Sequence, residues 1–449
     1  AFAEEALAVL LWALLGLVIV FELAMPWVMH AVAPGFVGDA GRFPLAVTLT
    51  RITFPYLLFI SLVSLLGGVL NSLGRFAAAA ATPILLNLCL IGAVLLAGRW
   101  NASPAAALAW GVFAAGFAQL AWIYVHAARR GMGLRLRAPR LTKRVRTLGG
   151  RILPVALGAG VYQINLLVDT VIASLLPAGS ISYLFFADRV TQLPLGVVGV
   201  AVGTALLPVL SRQVRAGDGA AARASQNRAL EFSLLLTLPA AAALFVISGP
   251  VVAVLFQRGA FDIAQAQATA AAVAVYALGL PAYVLVKALA PGFFAREDTK
   301  TPVKISIAAM LTNIFLSLLL MGPFRHVGIA AATAAAAWLN AGLMAWVLKS
   351  RGHLVPDRRL KARLAKTLLA TAVMAGVLVF GQWWLDGAVS WQVSVSGGPA
   401  AAGETPRIMA LAALVGAGLA AFAVAAQVTG AARLADIKAH FRRPHLDRD

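Results

Sequence analysis

Long apolar stretches alternate with short polar connections along all 449 residues of the chain. A transmembrane helix needs about 20 mostly apolar residues. Twelve stretches meet that requirement, at 6–31, 45–70, 82–98, 104–128, 152–176, 183–210, 229–256, 264–293, 302–321, 327–349, 363–385 and 407–429. A transmembrane β-barrel would instead show segments of about ten residues with alternating hydrophobicity. The pattern therefore predicts an all-α polytopic membrane protein with twelve transmembrane helices.

The composition supports this interpretation. Hydrophobic residues make up 61% of the chain and charged residues 12%, whereas soluble domains carry about 25% charged residues. An ordinary soluble enzyme is therefore excluded. Cys89 is the only cysteine, so an intramolecular disulfide and a cysteine metal cluster are excluded as well.

The positive charges are distributed unequally between the connections. Alternate connections hold 29 of the 37 Lys and Arg residues, namely 71–81, 129–151, 211–228, 294–304, 349–366 and 430–449. The other connections hold five. Because basic loops stay on the cytoplasmic side, both ends of this chain are expected in the cytoplasm. Topology explains the net charge of +20, and no nucleic-acid partner is expected.

Two parts of the chain repeat the same order of features. Residues 54–88 and 280–313 each run from a Pro-containing helix through a short basic loop to a Thr-Pro pair that opens the next helix. Pro55 and Pro281 lie 226 positions apart. Repeated bundles of this kind are typical of secondary transporters, with the substrate site between the halves. Chance similarity between Ala- and Leu-rich helices is the alternative.

The repeat predicts two pseudo-symmetric six-helix lobes followed by a C-terminal helix pair. The expected parts are an N-terminal lobe with four helices at 1–128, a basic linker at 129–151, a six-helix lobe at 152–349, and the pair 363–385 and 407–429 with its basic tail within 350–449. A counterpart of 151–222 is then expected before residue 1, which gives fourteen helices for a complete protein. One chain would contain both lobes, so a monomer is expected.

Ionisable residues inside the predicted spans mark candidate functional sites because they are costly there. Ser182, Phe185, Arg189 and Gln192 share one helix face, and a guanidinium suits bidentate contact with phosphate. Asp188 is adjacent to Arg189 but points about 100° away. The alternative is that Arg189 pairs with an acid on a neighbouring helix. Lys287 either binds an anionic substrate or extends to the membrane surface.

Oxygen-bearing side chains form a second candidate site. Asp169 shares its span with Gln163 and Asn165, while Asn313, Ser317 and Thr333 follow in later spans. A carboxylate with several amide or hydroxyl oxygens can hold Na⁺, and Asp169 alone can carry a proton. Interhelical hydrogen bonding is the alternative. No other cofactor is expected, since the sequence contains no P-loop, HExxH or GxGxxG motif.

Three stretches carry a resemblance to a known family. They are RITFPYLLFISLVSLLGGVLNSLGRF at 51–76, FFADRVTQLPLGVVGVAVGTALLPVLS at 185–211 and KALAPGFFAREDTKTPVKI at 287–305. They resemble MurJ (MviN), the family of bacterial lipid II flippases within the MOP exporter superfamily. The resemblance covers essentially the whole chain, and it implies the fourteen-helix fold of that family, of which this chain looks like the third helix onward.

The resemblance implies a function. Members of the family move undecaprenyl-pyrophosphate-linked muropeptide, lipid II, to the outer leaflet for peptidoglycan synthesis. By motif, Ser182, Asp188 and Arg189 match functional positions of the family's eighth helix, and Gln192 stands where many members have Glu. The helix pair 363–385 and 407–429 corresponds to the family's groove for the lipid tail. Lipid II and membrane lipids are therefore the expected partners.

Other functions remain open at this point. One alternative is a related exporter of another lipid-linked oligosaccharide or of a drug. Another is a membrane-embedded glycosyltransferase, which would need an extracellular catalytic acid. The largest predicted outer connection, 386–407, offers only Asp386 and Glu404 for that role. Because no catalytic constellation is recognisable, a non-enzymatic transporter is the prediction.

Overall fold

The structure is a computed structural model, and it describes residues 2–100, 103–129, 138–140, 142–386, 391 and 404–432. Within these ranges the regular elements are helices. They are α1 Phe2–Val32, α2 Arg42–Thr53, α3 Tyr56–Ser72, α4 Phe76–Ala80, α5 Thr82–Trp100, α6 Pro104–Ala128, α7 Lys143–Ser174, α8 Ser180–Arg215, α9 Gly219–Val246, α10 Ser248–Phe256, α11 Ile263–Phe294, α12 Lys300–Ser350, α13 Arg358–Asp386 and α14 Glu404–Thr429. A short 3₁₀ turn, Pro34–Phe36, follows α1. The predicted all-α fold class is confirmed.

The predicted apolar stretches coincide with described helices, and two of them are interrupted. The stretch 45–70 breaks at Phe54 and Pro55, since proline has no N–H to continue a helix. The stretch 229–256 breaks at Ile247, three residues before Pro250. Nine segments among the described residues are long and apolar enough to cross a membrane. The protein is thus a polytopic membrane protein, and the count of twelve crossings stays a prediction.

One long helix contains two of the predicted spans. In α12 the backbone at Arg325 leaves the helical region, with φ 51° and ψ −134°. This break lies between the predicted spans 302–321 and 327–349. The chain turns so tightly here that a β-carbon at Gly328 would overlap the carbonyl oxygen of Leu320. Glycine is therefore required for this reversal, which gives α12 two halves.

The described helices form two compact units, Ala1–Gln163 and Ile164–Asp449. In the first unit, α1, α3 and α6 pack around Leu66, Leu70 and Ile123, which are almost fully buried. The buried amide of Gln119 on α6 accepts a hydrogen bond from the Tyr56 hydroxyl at 2.9 Å and donates one to the Thr82 carbonyl at 2.7 Å. The predicted lobe boundaries stay a prediction.

In the second unit, α11 is the central helix. Its residues Val273 and Ala277 are fully buried. It packs against α8, α9 and α12, and its buried residues form one apolar core with Leu184 of α8 and Ile329 of α12. Apolar side chains thus pack α8 and both halves of α12 against α11 instead of against lipid.

Ion pairs attach α13 to α9. The carboxylate of Glu231 on α9 is 3.2 Å from Nη1 of Arg363 and 3.5 Å from Nε of Arg359. Arg228, one turn away on α9, pairs with both Glu231 and Asp357, and Asp357 also accepts a hydrogen bond from the Leu360 N–H at the start of α13 at 2.6 Å. The start of the predicted C-terminal helix pair is therefore anchored to α9 by charge as well as by packing.

Candidate functional site

The helix α8 presents one buried face and one exposed face. Leu184, Ala187 and Val190 are buried in the core of the second unit. Side chains on the opposite face are exposed, at Ser182, Phe185, Arg189 and Leu193. Their spacings of three and four residues place them in one row along the helix. We call this row the open face of α8.

Arg189 makes its described contacts only to its own helix. Its guanidinium carbon lies 4.8 Å from the centre of the Phe185 ring, and its Nη1 donates a long hydrogen bond of 3.4 Å to Oε1 of Gln192. Within the described residues it forms no ion pair with a carboxylate on another helix. The predicted sharing of a face by these three residues is therefore seen, whereas the pairing of Arg189 with an acid on a neighbouring helix is not.

Gln192 joins the two adjacent charges of this helix. Its Nε2 donates to Oδ2 of Asp188 while its Oε1 accepts from Arg189. Asp188 lies four positions before Gln192 and Arg189 three, so both reach it on the helix surface. The Gln192 amide thus joins the Asp188 carboxylate and the Arg189 guanidinium through two hydrogen bonds. The sequence alone did not indicate this bridge.

Lys287 lies elsewhere. It is exposed on α11, and its stem crosses α8 so closely that a β-carbon at Gly199 would lie 2.8 Å from its Cδ. Gly199 is ten residues beyond Arg189, which corresponds to about 15 Å along a helix. Lys287 on α11 therefore lies against α8, the helix that carries Arg189, but the two cations are not brought together.

The oxygen-bearing side chains of the second predicted site converge. Nδ2 of Asn313, on the first half of α12, donates to Oδ1 of Asp169 at 2.8 Å and to Oδ1 of Asn165 at 3.0 Å. The hydroxyl of Thr333, on the second half, lies 3.5 Å from Oδ2 of Asp169, as does Nδ2 of Asn165 at 3.4 Å. The fold therefore gathers residues from 165 to 333 around one carboxylate. We call these four residues the Asp169 cluster.

A fifth residue sets the orientation of the cluster. The Ser317 hydroxyl, which is fully buried, donates to Oδ1 of Asn313 at 3.3 Å. The Asn313 amide therefore turns its NH₂ group toward the carboxylate. For its Oδ1 to face a cation bound by Asp169, this amide would have to rotate and release Ser317. Oxygen atoms are the ligands that hard cations prefer, and Asp169, Asn165, Asn313 and Thr333 together supply them.

Tyr276 is a buried polar residue near both sites that the sequence analysis missed. This tyrosine of α11 is buried in the core that also contains Leu184 and Ala187 of α8, and it lies close to Thr333 and to the carboxylates of Asp169 and Asp188. Its sequence context is apolar, so nothing marked it as polar chemistry. The described residues contain no group of three or more His, Cys, Asp and Glu side chains that could hold a metal ion.

Solved structures with the same arrangement of helices are transporters. A structure described as "Lipid II flippase MurJ, inward closed conformation" matches with a TM-score of 0.75 at 22% identity, covering 95% of this chain and 83% of that one. A multidrug resistance MATE family transporter of the MOP superfamily, in an inward-facing conformation, matches with a TM-score of 0.66 at 12% identity over 78% of this chain and 86% of that one. This chain therefore shares its fold with these two solved proteins.

Sequence relatives give the family. The family model described as "Lipid II flippase MurJ" matches residues 1–393. A probable lipid II flippase MurJ of Rhizobium meliloti is 43% identical over 98% of this chain and 82% of its own length. A probable lipid II flippase MurJ of Rhizobium tropici is 46% identical over 84% of this chain and 72% of its own length. The lipid II flippase MurJ of Burkholderia cenocepacia is 37% identical over 82% of this chain and 72% of its own length. The chain belongs to the MurJ family of lipid II flippases, which confirms the resemblance and the prediction of a transporter rather than an enzyme.

Proposed function

We propose that this protein moves lipid II from the inner to the outer leaflet of the bacterial inner membrane, and that Arg189 contacts its pyrophosphate. Membership of the MurJ family supports the substrate. The observation that supports the residue is the open face of α8, where Arg189 is exposed and forms no ion pair among the described residues. A diphosphate cannot cross hydrocarbon unless its charge is compensated.

The neighbours of Arg189 suit this role. Phe185 supports the guanidinium from one side, and Gln192 holds it through a single long hydrogen bond, so most of its N–H groups are available to phosphate oxygens. Asp188 keeps its contact with Gln192 and thereby stays separate from the anion. Ser182 adds a hydroxyl donor two turns away on the same face. Lys287, which is exposed on α11, would meet the substrate at another stage of its passage.

Alternating access would complete the cycle, with the two lobes of a monomer rocking about the bound headgroup. The polyprenyl tail would stay in lipid along α13 and α14, where Phe380, Trp383 and Leu419 are exposed. Membrane lipids are then partners of the same surface. The sequence contains no P-loop, so an ion gradient or the membrane potential is the energy source in this proposal.

We propose further that Asp169 binds the coupling ion, either Na⁺ or a proton, with Asn313 and Thr333 as its partners. The convergence of oxygen atoms from α7 and both halves of α12 supports this assignment. Because the halves of α12 lie on either side of the break at Arg325, an ion held between them would link the two halves.

The experiment for Arg189 uses a bacterium whose own lipid II flippase can be switched off. The protein is expressed as wild type, as Arg189→Ala and as Arg212→Ala, and lipid II reaching the outer leaflet is measured together with membrane insertion. Arg212 is an exposed cation near the end of the same helix, so its removal controls for charge loss. We expect export with wild type and Arg212→Ala, and none with Arg189→Ala. Failure of inserted wild type would overturn the lipid II assignment.

The experiment for Asp169 uses purified protein in liposomes. Transport is measured at fixed membrane potential while Na⁺ is replaced by K⁺ and while the pH is varied. We expect wild type to depend on one of these ions and Asp169→Asn to depend on neither. Asp262→Asn, which alters only the first turn of α11, should behave like wild type. A wild-type response that survives in Asp169→Asn contradicts the assignment.

A further inference from the structure

Three helices of the second unit meet closely near one end. The buried Nε2 of Gln226 on α9 donates to the carbonyl of Ala288 on α11 at 2.8 Å. A β-carbon at Gly292 on α11 would lie 3.0 Å from Oε1 of Gln226 and 3.2 Å from Cδ1 of Leu348 on α12. The backbones at this junction are therefore held tightly in place. The charge pattern of the connections predicts this end to be cytoplasmic.

An arginine lies about one turn beyond the junction at the end of each of the three helices. Arg223 lies three residues before Gln226, Arg296 four residues after Gly292, and Arg351 three residues after Leu348. The helix α9 begins at this junction, whereas α11 and α12 end there. A step backward along α9 and a step forward along α11 or α12 therefore lead to the same end of the bundle, and all three arginines lie at that end. The fold thus brings together three cations that are far apart in the sequence.

A turn after α12 adds a histidine to the group. Gly352 takes φ 71°, in the left-handed region that favours glycine, and the N–H of His353 then donates to the carbonyl of Leu348 at 2.8 Å. Burial and then the charges of Arg296, Arg351 and Arg223 lower the pKa of His353. The surroundings therefore favour the neutral form of the imidazole, which carries one ring N–H. We call Arg223, Arg296, Arg351 and His353 the arginine cluster.

Only one of these arginines has a carboxylate partner among the described residues. Nη1 of Arg351 lies 2.6 Å from Oδ2 of Asp298, whose oxygens also accept from the side chain and the N–H of Thr301 at 2.6 and 3.0 Å. Arg296 donates to the Gly292 carbonyl at 2.6 Å, and burial and the charge of Arg223 lower its pKa. Two half-buried guanidinium groups thus remain without a counter-charge.

The nearby acidic residues do not supply that charge. Asp218 accepts the N–H of Ala221 at 2.8 Å and so caps α9. Glu297 is exposed in a left-handed turn with φ 61°. A group of half-buried cations with one carboxylate among them has a net attraction for anions. The burial of Phe293 beneath Arg351, with 6.0 Å between guanidinium carbon and ring centre, gives the group a rigid floor.

We propose that the arginine cluster is a binding site for a phosphate-bearing lipid headgroup at the cytoplasmic membrane boundary, separate from Arg189. Guanidinium groups match phosphate oxygens in bidentate geometry, and basic pockets between transmembrane helices on the cytoplasmic side are suited to anionic headgroups. The same chemistry is present in the phosphodiester of bulk anionic lipid and in the diphosphate of a lipid-linked glycan. The site does not depend on the transport function.

The test measures lipid preference directly. The whole protein is placed in vesicles of phosphatidylcholine, and spin-labelled phosphatidylglycerol is titrated against spin-labelled phosphatidylcholine. A cation near a membrane surface contributes up to about fivefold to the attraction of anionic lipid, and salt screens an exposed cation far more than a half-buried one. We therefore expect Arg223→Gln and Arg296→Gln each to lower the preference for phosphatidylglycerol by about fivefold. Arg215→Gln removes an exposed cation from the end of α8 and should change little.

A second arm identifies the source of the phosphate. Undecaprenyl pyrophosphate binding is measured in an Arg189→Ala background, with and without the two Gln substitutions. A loss of diphosphate binding without a change in phosphatidylglycerol preference would support the site and assign it to lipid-linked diphosphates. If neither lipid responds to Arg223→Gln and Arg296→Gln, the proposal is overturned.

A third pair of variants separates charge recognition from misfolding. Arg223→Lys and Arg296→Lys keep the positive charge while losing the bidentate geometry. They should retain a clear preference for the phosphate-bearing lipid, above that of the Gln variants. Lys variants that bind phosphatidylglycerol as well as wild type would contradict bidentate recognition, and wild-type helix content by circular dichroism shows that each variant is folded.

Discussion

The Asp169 cluster and the open face of α8 lie in the same unit, yet they treat charge in opposite ways. In the cluster, the carboxylate accepts hydrogen bonds from two other side chains at 2.8 and 3.4 Å, with a third donor at 3.5 Å. On α8, the guanidinium of Arg189 is exposed and contacts only side chains of its own helix. The polar groups of the cluster bond to one another, so the cluster is closed upon itself. On the open face, Arg189 uses one N–H group in a hydrogen bond among the described residues.

The physical reason is the cost of burial. A half-buried carboxylate needs hydrogen-bond donors from within the fold, so residues of α7 and of both halves of α12 surround Asp169. An exposed guanidinium has no such requirement, and its N–H groups are available to bind an anion. Tyr276, in the apolar core behind α8, lies within electrostatic range of both Asp169 and Asp188. The difference teaches that ligand affinity and structural stability can be separated experimentally in this unit.

The largest effect is expected for Arg189→Ala. Hydrogen bonds to a charged group contribute about 1.5–3 kcal/mol, so affinity for a pyrophosphate lipid should fall about 10- to 100-fold. The free energy of unfolding should change by no more than about 0.5 kcal/mol, because the side chain is exposed. Lipid binding and thermal unfolding of the purified variant check both. Strong destabilisation would instead show that Arg189 holds the bundle together.

Asp169→Ala should reverse that result. The amide of Asn313 and the hydroxyl of Thr333 would each lose an acceptor in a half-buried site, which costs about 1–3 kcal/mol of stability. Affinity for a pyrophosphate lipid should stay near wild type. Unfolding temperatures measured beside those of Arg189→Ala provide the comparison. Unchanged stability would mean that the cluster is not closed upon itself.

A smaller effect is expected for Ser317→Ala. Its hydroxyl holds Oδ1 of Asn313 and competes with any cation for that oxygen. Removing one such hydrogen bond is worth about 1 kcal/mol, so if Na⁺ is the coupling ion, the half-saturating concentration should fall by about two- to tenfold. Transport as a function of Na⁺ concentration measures this shift. A rise would show that Ser317 is itself a ligand or that the amide does not rotate.

The smallest effect is expected for Gln192→Ala. Its hydrogen bond to Arg189 is long, at 3.4 Å, and long bonds are weak. Affinity for a pyrophosphate lipid should change by less than about threefold, since the guanidinium keeps its own donors. Equilibrium binding beside Arg189→Ala is the measurement. A loss as large as that of Arg189→Ala would mean that the bridge to Asp188, and not the exposed cation, creates the site.

The sequence predicted some of these features because they follow from local spacing. The row of Ser182, Phe185 and Arg189 on α8 results from helical periodicity. Candidate oxygen ligands around Asp169 could be named by residue type, but their convergence depends on how α7 packs against the two halves of α12. Tyr276 could not be recognised, since its neighbours in sequence are apolar and the carboxylates near it lie on α7 and α8.

The sequence by itself determined that this chain is a helical membrane protein, where its helices lie, and which family it belongs to. Hydrophobic length and helical period act over neighbouring residues, so they can be seen in one dimension. Only the tertiary structure decided that Asn313 and Thr333 meet at Asp169, that Lys287 stays apart from Arg189, and that Arg223, Arg296 and Arg351 gather at one end. Those outcomes depend on the packing of helices over long sequence separations, which no local pattern specifies.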